Sequence, residues 1–144
     1  MKQITVLGGS GFLGSHLCDI LSSEGHYVKI FDLKKSKWLK NNQKMYKGSI
    51  LNKRKLSLAI KGSDFVYNFA GLTDLDYAKD RPIETVKSNI LGTLNALFVS
   101  KKHNIKSGIE FQKFMPTNKR PLNLPTNPHI IYKKEWKSWG DYFG

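Results

Sequence analysis

Apolar residues recur along this chain in two periods, one suited to strands and one to helices. Residues 3–7 are rich in β-branched side chains (Ile4, Thr5, Val6) and run directly into Gly8-Gly9-Ser10-Gly11, which predicts a strand closed by a turn. Leu13, Leu17, Ile20 and Leu21 then fall at helical spacing, and Gly25 ends the pattern as a C-cap would. Tyr-Val-Lys-Ile-Phe-Asp at 27–32 predicts a second strand, completing a βαβ unit of about thirty residues whose crossover must be parallel and right-handed. Further on, Met45-Tyr46 predicts a short third strand, residues 52–60 a helix, and residues 65–69 a fourth strand entered through the turn Gly62-Ser63-Asp64. Pro82 suits the first turn of a helix that carries Val86, Ile90, Leu91, Leu94, Leu97 and Phe98 and reaches about His103.

Strand and helix thus alternate through residue 106, and the predicted fold class is α/β: a partial Rossmann fold with about four parallel strands. Past Lys106 the character changes, because Pro116, Pro121, Pro125 and Pro128 fall close together and Tyr132, Trp136, Trp139, Tyr142 and Phe143 crowd the end. Residues 107–144 are therefore expected to form a separate irregular or helical module, with 133–139 as a short helix. On this division the strand at 65–69 is left as a sheet edge. The helix bearing Ile90, Leu94 and Phe98 would lack part of its cover, to be supplied by the tail or by a partner.

Composition narrows the class of protein. The chain of 144 residues, 40% of them hydrophobic, suits one ordinary globular domain. No stretch reaches the roughly 18 to 20 apolar residues that a membrane helix needs, and the first residues lack the pattern of a signal peptide. The expectation is a cytoplasmic protein with no membrane partner. Cys18 is the only cysteine, and His16, His26, His103 and His129 are scattered, so neither a disulfide framework nor a spaced metal site can be drawn. Cys18 lies within a helix pattern beside Leu17 and is expected in the core.

The net charge of +13 is concentrated. Between positions 33 and 62 stand Lys34, Lys35, Lys37, Lys40, Lys44, Lys47, Lys53, Arg54, Lys55 and Lys61, with no acidic residue among them. Such a window attracts phosphates or nucleic acid electrostatically. A solvated lysine-rich surface is the reading favoured here, since no array of aromatics or arginines accompanies the lysines.

Gly8, Gly11 and Gly14 make G-x-x-G-x-x-G at the predicted strand-to-helix turn. Glycine there permits a tight turn, lets the backbone approach a pyrophosphate and allows close packing of helix on strand. The helix N-terminus presents unpaired N–H groups and a partial positive charge to the same place. Asp32 follows 18 residues after Gly14 and ends the second strand, where a carboxylate accepts hydrogen bonds from adenosine ribose hydroxyls. It favours NAD over NADP, whose extra phosphate it would repel, although Lys34 and Lys35 next door soften that preference.

These residues resemble the extended short-chain dehydrogenase/reductase family, the NAD-dependent epimerases and dehydratases of nucleotide sugars, and in particular the N-terminal half of its UDP-galactose 4-epimerase-like members. The likeness rests on Val-Leu-Gly-Gly-Ser-Gly-Phe-Leu-Gly-Ser-His-Leu at 6–17, Gly-Ser-Ile-Leu-Asn at 48–52, Gly-Ser-Asp-Phe-Val-Tyr-Asn-Phe-Ala-Gly-Leu at 62–72 and Asn-Ile-Leu-Gly-Thr-Leu-Asn at 89–95. The resemblance implies that the turn from Gly8 through Gly11, Phe12 and Leu13 to Gly14 binds pyrophosphate and that Asp32 binds the adenine ribose. It implies further that Ser49 and Ile50 contact adenine, that Phe69, Ala70 and Gly71 pass the ribose and phosphates, and that Asn89 lies near the nicotinamide. Two positions depart from the family pattern: Ser49 stands where Asp is usual and Asn68 where His is usual.

A larger departure is the family's Tyr-x-x-x-Lys pair, which occurs nowhere in the 144 residues. In that chemistry the tyrosinate takes a sugar hydroxyl proton and the lysine lowers its pKa, so both are required. The expectation is a chain that binds a dinucleotide without catalysing hydride transfer alone. The alternatives are an enzyme fragment completed by another chain, a homo-oligomer, and a basic module for nucleic acid or a scaffold. The tail, through residues 120–128 and 132–144, resembles a short repeat found beside phage-integrase-type sequences. That likeness implies at most a small interaction or DNA-associated module, against the simpler reading of an appendage that buries Trp136 and Trp139.

Overall fold

Strands buried on both faces need almost unbroken apolar runs, and β1 (Gln3–Leu7) and β2 (Tyr27–Asp32) have them, with Ile4 through Leu7 and Val28 through Phe31 buried. In the computed structural model, which describes residues 1–105 and 109–111, these two strands pair in parallel from Gln3 with Tyr27 to Leu7 with Phe31. β3 (Gln43–Lys47) joins the outer side of β2, and β4 (Phe65–Asn68) the other side of β1. The four strands expected from the sequence are present, close to their predicted bounds.

A fifth strand extends the sheet to the order β3-β2-β1-β4-β5, all parallel. β5 (Ile109–Phe111) lies beyond Lys106 and pairs Val66 with Ile109 and Asn68 with Phe111. β4 is therefore not the sheet edge that the pattern led one to expect, and the compact unit runs from Met1 to Phe111. Three residues are too few for a period of two to register. The expectations for the rest of the tail, including the helix at 133–139 and the repeat-like segments, lie outside the described residues.

One face of the sheet is covered by α1 (Phe12–Ser23), and Cys18 and Leu21 pack there on Ile4, Val6, Val28 and Ile30. The other face carries Leu7, Phe31 and Val66, covered by Leu56, Ala59 and Ile60 of α2 (Lys53–Ile60) and by Ala96 and Val99 of α5 (Gly92–Lys102). Asn52 caps α2, its Oδ1 accepting from the Lys55 N–H at 3.0 Å.

The helix predicted from Pro82 to about His103 is a continuous helical run in three parts: α4 (Pro82–Val86), a π-helical turn at Lys87–Leu91, and α5. A further helix, α3 (Leu75–Asp80), was not foreseen; Asp74 caps it by accepting from the N–H groups of Asp76 and Tyr77. The face that α5 buries also differs from expectation. Gly92, Asn95, Ala96, Val99 and Ser100 point inward, while Val86, Ile90, Leu94 and Phe98 are exposed, Phe98 by 63%. Small residues win the inner face because the helix lies so close to the neighbouring chain: a Cβ on Gly92 would stand 2.5 Å from Cγ2 of Ile50. α1 does so only in part: Gly14 and Cys18 lie inside together with Leu21, while Leu13 and Ile20 are outside.

Lys29 is a charged side chain within the sheet, 5% exposed. Its Nζ donates to the carbonyl of Lys61 at 2.7 Å, the C-cap of α2, where a cation complements the helix dipole. Desolvation, and then the charge of Lys44, pull its pKa below the ordinary lysine value.

Candidate cofactor-binding site

The chain leaves β1 toward β2 on one side and later returns to β4 on the other, so the C-terminal end of β1 is the switch point of the sheet, where open α/β sheets hold ligands. The loops that meet there are bonded to each other's strands. The Gly8 N–H donates to Phe31 O at 2.8 Å, Phe69 N–H to Leu7 O at 2.8 Å, and Gly48 N–H to Asp32 O at 2.9 Å. The predicted residues at the ends of β1, β2, β3 and β4 are thereby brought to one edge.

The glycine turn is packed from two sides. Gly8 has φ +78°, and a Cβ there would stand 2.6 Å from the Phe69 carbonyl carbon and 2.7 Å from the Ala70 nitrogen. A Cβ on Gly14 would strike the Gly8 carbonyl oxygen and come within 2.8 Å of the Gly9 Cα. Both glycines are thus demanded by backbone and not by a ligand alone. Their effect is to draw the start of α1 onto the strand ends. No side chain caps α1, whose N-cap is Gly11, and Phe12 and Leu13 in its first turn are exposed. The first-turn N–H groups and the positive end of the helix are left for an anion, the disposition a pyrophosphate requires.

Asp32 closes the other side. Its Oδ2 accepts from the Ser10 N–H at 3.0 Å and its Oδ1 from the Lys34 N–H at 3.1 Å, while Ser10 Oγ donates to the Lys34 carbonyl at 2.9 Å. Asp32 thus ties the glycine turn to the turn after β2. Each carboxylate oxygen keeps a free lone pair, and the residue is only partly buried, so two ribose hydroxyls can still donate to it. Ser10 and the backbone of Lys34 were not singled out from the sequence; the adjacency of Ser10 to the glycines was the available signal.

The remaining residues divide. Ser49 is partly exposed and its Oγ accepts from the Leu51 N–H at 3.2 Å. Ile50 has its side chain in the core, and its carbonyl accepts from Asn95 Nδ2 at 3.2 Å. Phe69, Ala70 and Gly71 follow β4, where Asn68, at the position usually His, is buried and accepts the Ala70 N–H on Oδ1 at 3.1 Å. That bond turns the chain after the strand. Asn89 lies in the π-helical turn and its amide is committed: Oδ1 accepts from Leu72 N–H at 2.7 Å and Nδ2 donates to Leu72 O at 2.9 Å. In this structure Asn89 positions the loop after β4.

Cys18 lies beneath the turn, 1% exposed, and burial followed by the Asp19 charge pushes its thiol up to about 12, far from a reactive thiolate. Among the described residues no three His, Cys, Asp or Glu side chains stand together as metal ligands, and no helix is long and apolar enough to cross a membrane.

Comparison with known proteins places this geometry. The chain is 33% identical over 102 residues to UDP-N-acetyl-alpha-D-glucosaminuronate decarboxylase of Bacillus cytotoxicus, covering 67% of this chain and 32% of that protein. It is 31% identical over 122 residues to dTDP-D-glucose 4,6-dehydratase of Dictyostelium discoideum, covering 76% and 28%. The crystal structure of UDP-glucose 4-epimerase from Thermotoga maritima with UDP-glucose superposes with a TM-score of 0.66 at 30% identity, over 72% of this chain and 35% of that one. The Thermus thermophilus UDP-glucose 4-epimerase complex with NAD shares the fold at TM-score 0.65 and 23% identity. The chain spans about a third of the length of these relatives. The profile of the NAD dependent epimerase/dehydratase family matches residues 4–115, most of the chain, and on that match the protein belongs to the NAD-dependent epimerase/dehydratase family.

Proposed function

We propose that this chain is a dinucleotide-binding module that holds NAD across the C-terminal ends of β1, β2 and β4, and that its 144 residues do not carry hydride transfer by themselves. The observation that carries the reading is the pairing of an uncapped α1 N-terminus with Asp32 through Ser10. The pyrophosphate would lie against Gly11, Phe12 and Leu13. Asp32 would accept from the adenosine ribose, with Ser49 and Ile50 near the adenine and Phe69, Ala70 and Gly71 flanking the ribose and phosphates. Asn89 contributes by holding the Leu72 backbone at the nicotinamide side. Bound NAD would supply the hydride acceptor that the family's chemistry uses. The absence of Tyr-x-x-x-Lys leaves no tyrosinate and lysine pair in these residues to move the substrate proton.

Calorimetric titration with NAD and NADP tests the binding. NAD should bind more tightly than NADP, and Asp32→Asn should weaken NAD by roughly tenfold, the loss of one charge-assisted hydrogen-bond site. NADP binding more tightly than NAD, or a folded chain that takes up no NAD, would overturn the assignment. Incubation with NAD and UDP-glucose should give no epimer; turnover by the purified chain would refute the second half of the proposal.

A further inference from the structure

The residues that leave β2, Leu-Lys-Lys-Ser-Lys-Trp-Leu-Lys at 33–40, put lysines and large apolar side chains in one stretch without an acid. Neither helix nor strand forms there. β2 and β3 are parallel neighbours, so the connection at 33–42 has to run back from the C-terminal to the N-terminal end of the sheet. It is fastened at both ends. Ser10 Oγ donates to the Lys34 carbonyl at 2.9 Å. At the far end Lys40 Nζ meets Asp19 Oδ1 of α1 at 3.2 Å, and Asn42 Nδ2 donates to the carbonyls of Ser22 and His26 at 2.8 Å each.

The apolar side chains of this loop face water. Trp38 is 79% exposed, Leu33 63% and Leu39 42%. Ser36 and Trp38 border a cleft of about 210 Å³ against His16 and Asp19 of α1, so the middle of the loop stands off the helix. Lys34, Lys35 and Lys37 are exposed and enter no ion pair among the described residues. Lys44 and Lys47, exposed on the adjoining edge strand β3, add charge to the same flank. Core packing therefore accounts for neither the apolar side chains nor the free cations, and such a patch marks a surface of interaction.

The combination selects a partner. Leucine offers no face on which a base can stack and the loop holds no arginine, which disfavours a nucleic acid. A second copy of the chain brings the same net charge of +13 and is repelled. The surface of an anionic bilayer meets both demands at once. Tryptophan settles at the level of the headgroups and leucine reaches the acyl boundary, while lysine pairs with lipid phosphate and lays its stem along the apolar layer. We infer that the loop at 33–40 is a peripheral anchor for an anionic lipid bilayer, inserting Leu33, Trp38 and Leu39 among headgroups held by Lys34, Lys35 and Lys37. The expectation of no membrane partner came from the lack of a spanning stretch, and a contact with the headgroup layer requires none.

Co-sedimentation of the full chain with lipid vesicles tests this. Vesicles of phosphatidylcholine with about a third phosphatidylglycerol should pellet the chain, less so as salt rises. Phosphatidylcholine alone should bind at least about tenfold more weakly. Trp38→Ser should lower the affinity for the anionic vesicles by at least about tenfold, and so should Lys35→Gln combined with Lys37→Gln. These positions are exposed, so the variants should melt with the parent chain, which separates a lost contact from a damaged fold. Brominated lipid should quench the emission of the parent more than that of Trp38→Ser, as an indole within the bilayer requires. Equal binding to the two kinds of vesicle would overturn the inference. So would variants that bind the anionic vesicles as the parent does, since the attraction would then lie elsewhere in the chain. Tighter binding to an oligothymidylate than to the vesicles, or a self-association that Trp38→Ser abolishes, would overturn it as well.

Discussion

The glycine turn after β1 and the helical run from Pro82 to Lys102 are both built on small residues at close approaches, yet they end in opposite conditions. At the turn, Gly8 and Gly14 bring three strand ends and a helix terminus together, with Gly8 bonded to Phe31, Phe69 to Leu7 and Ser10 to Asp32, and the α1 N-terminus left without a side-chain cap. On the helical run, Gly92 and Ala96 draw α5 onto the sheet, and the large apolar residues are turned outward as a consequence. In the first region close packing gathers the loops of the candidate site. The second buys a tight core at the cost of an uncovered apolar row. The difference teaches that apolar periodicity marks a helix without saying which face is buried, because backbone proximity favours small side chains over large ones.

The sharpest way to break this comparison is Gly8→Val. A β-branched side chain at φ +78° and against the backbone of Phe69 and Ala70 should cost at least about 3 kcal/mol and remove NAD binding, measured by urea unfolding and calorimetry. A stable, NAD-binding variant would show that the turn is less constrained than its geometry says. Next comes Ala96→Leu, which overpacks a fully buried position of α5 and should cost about 1–3 kcal/mol in the same unfolding assay. Asn52→Ala removes the α2 cap and should cost about 1 kcal/mol. Leu94→Ala, two positions from Ala96 but on the outer face, should change stability by no more than about 0.5 kcal/mol. If Leu94→Ala cost more than Ala96→Leu, the assignment of inner and outer faces would be reversed.

The smallest effect concerns pH. His103 follows α5, with Nε2 2.7 Å from Ser57 Oγ, and burial together with Lys102, Lys61 and Lys29 lowers its pKa from the ordinary 6.5. The folded state therefore binds fewer protons than the unfolded chain just below that value. Its contribution is present above about pH 6.5 and is lost as pH falls through the lowered folded value. The melting temperature should fall slightly on going from neutral to mildly acidic buffer, and His103→Gln should reduce that slope.

Much of this was legible in the chain. Strands β1, β2 and β4, the turn between β1 and α1 and the buried Cys18 all follow from local chemistry: β-branched runs, glycine spacing and helical periodicity. Asp32 could be picked out by its distance from the glycines. What could not be read were features that depend on neighbours remote in sequence. β5 is recognised only by its pairing with β4, 43 positions away at Val66 and Ile109. The π-helical turn that lets Asn89 grip Leu72, and the bond from Asp32 to Ser10, arise because separate segments meet. The inward face of α5 was decided the same way, by its distance from Ile50. Sequence alone determined the first four strands, the helices at 12–23 and 53–60 and where the glycine turn lies, since those depend on residues a few positions apart. Tertiary structure decided which helix faces are covered and which side chains hold the site's loops, since those depend on how closely distant backbones approach.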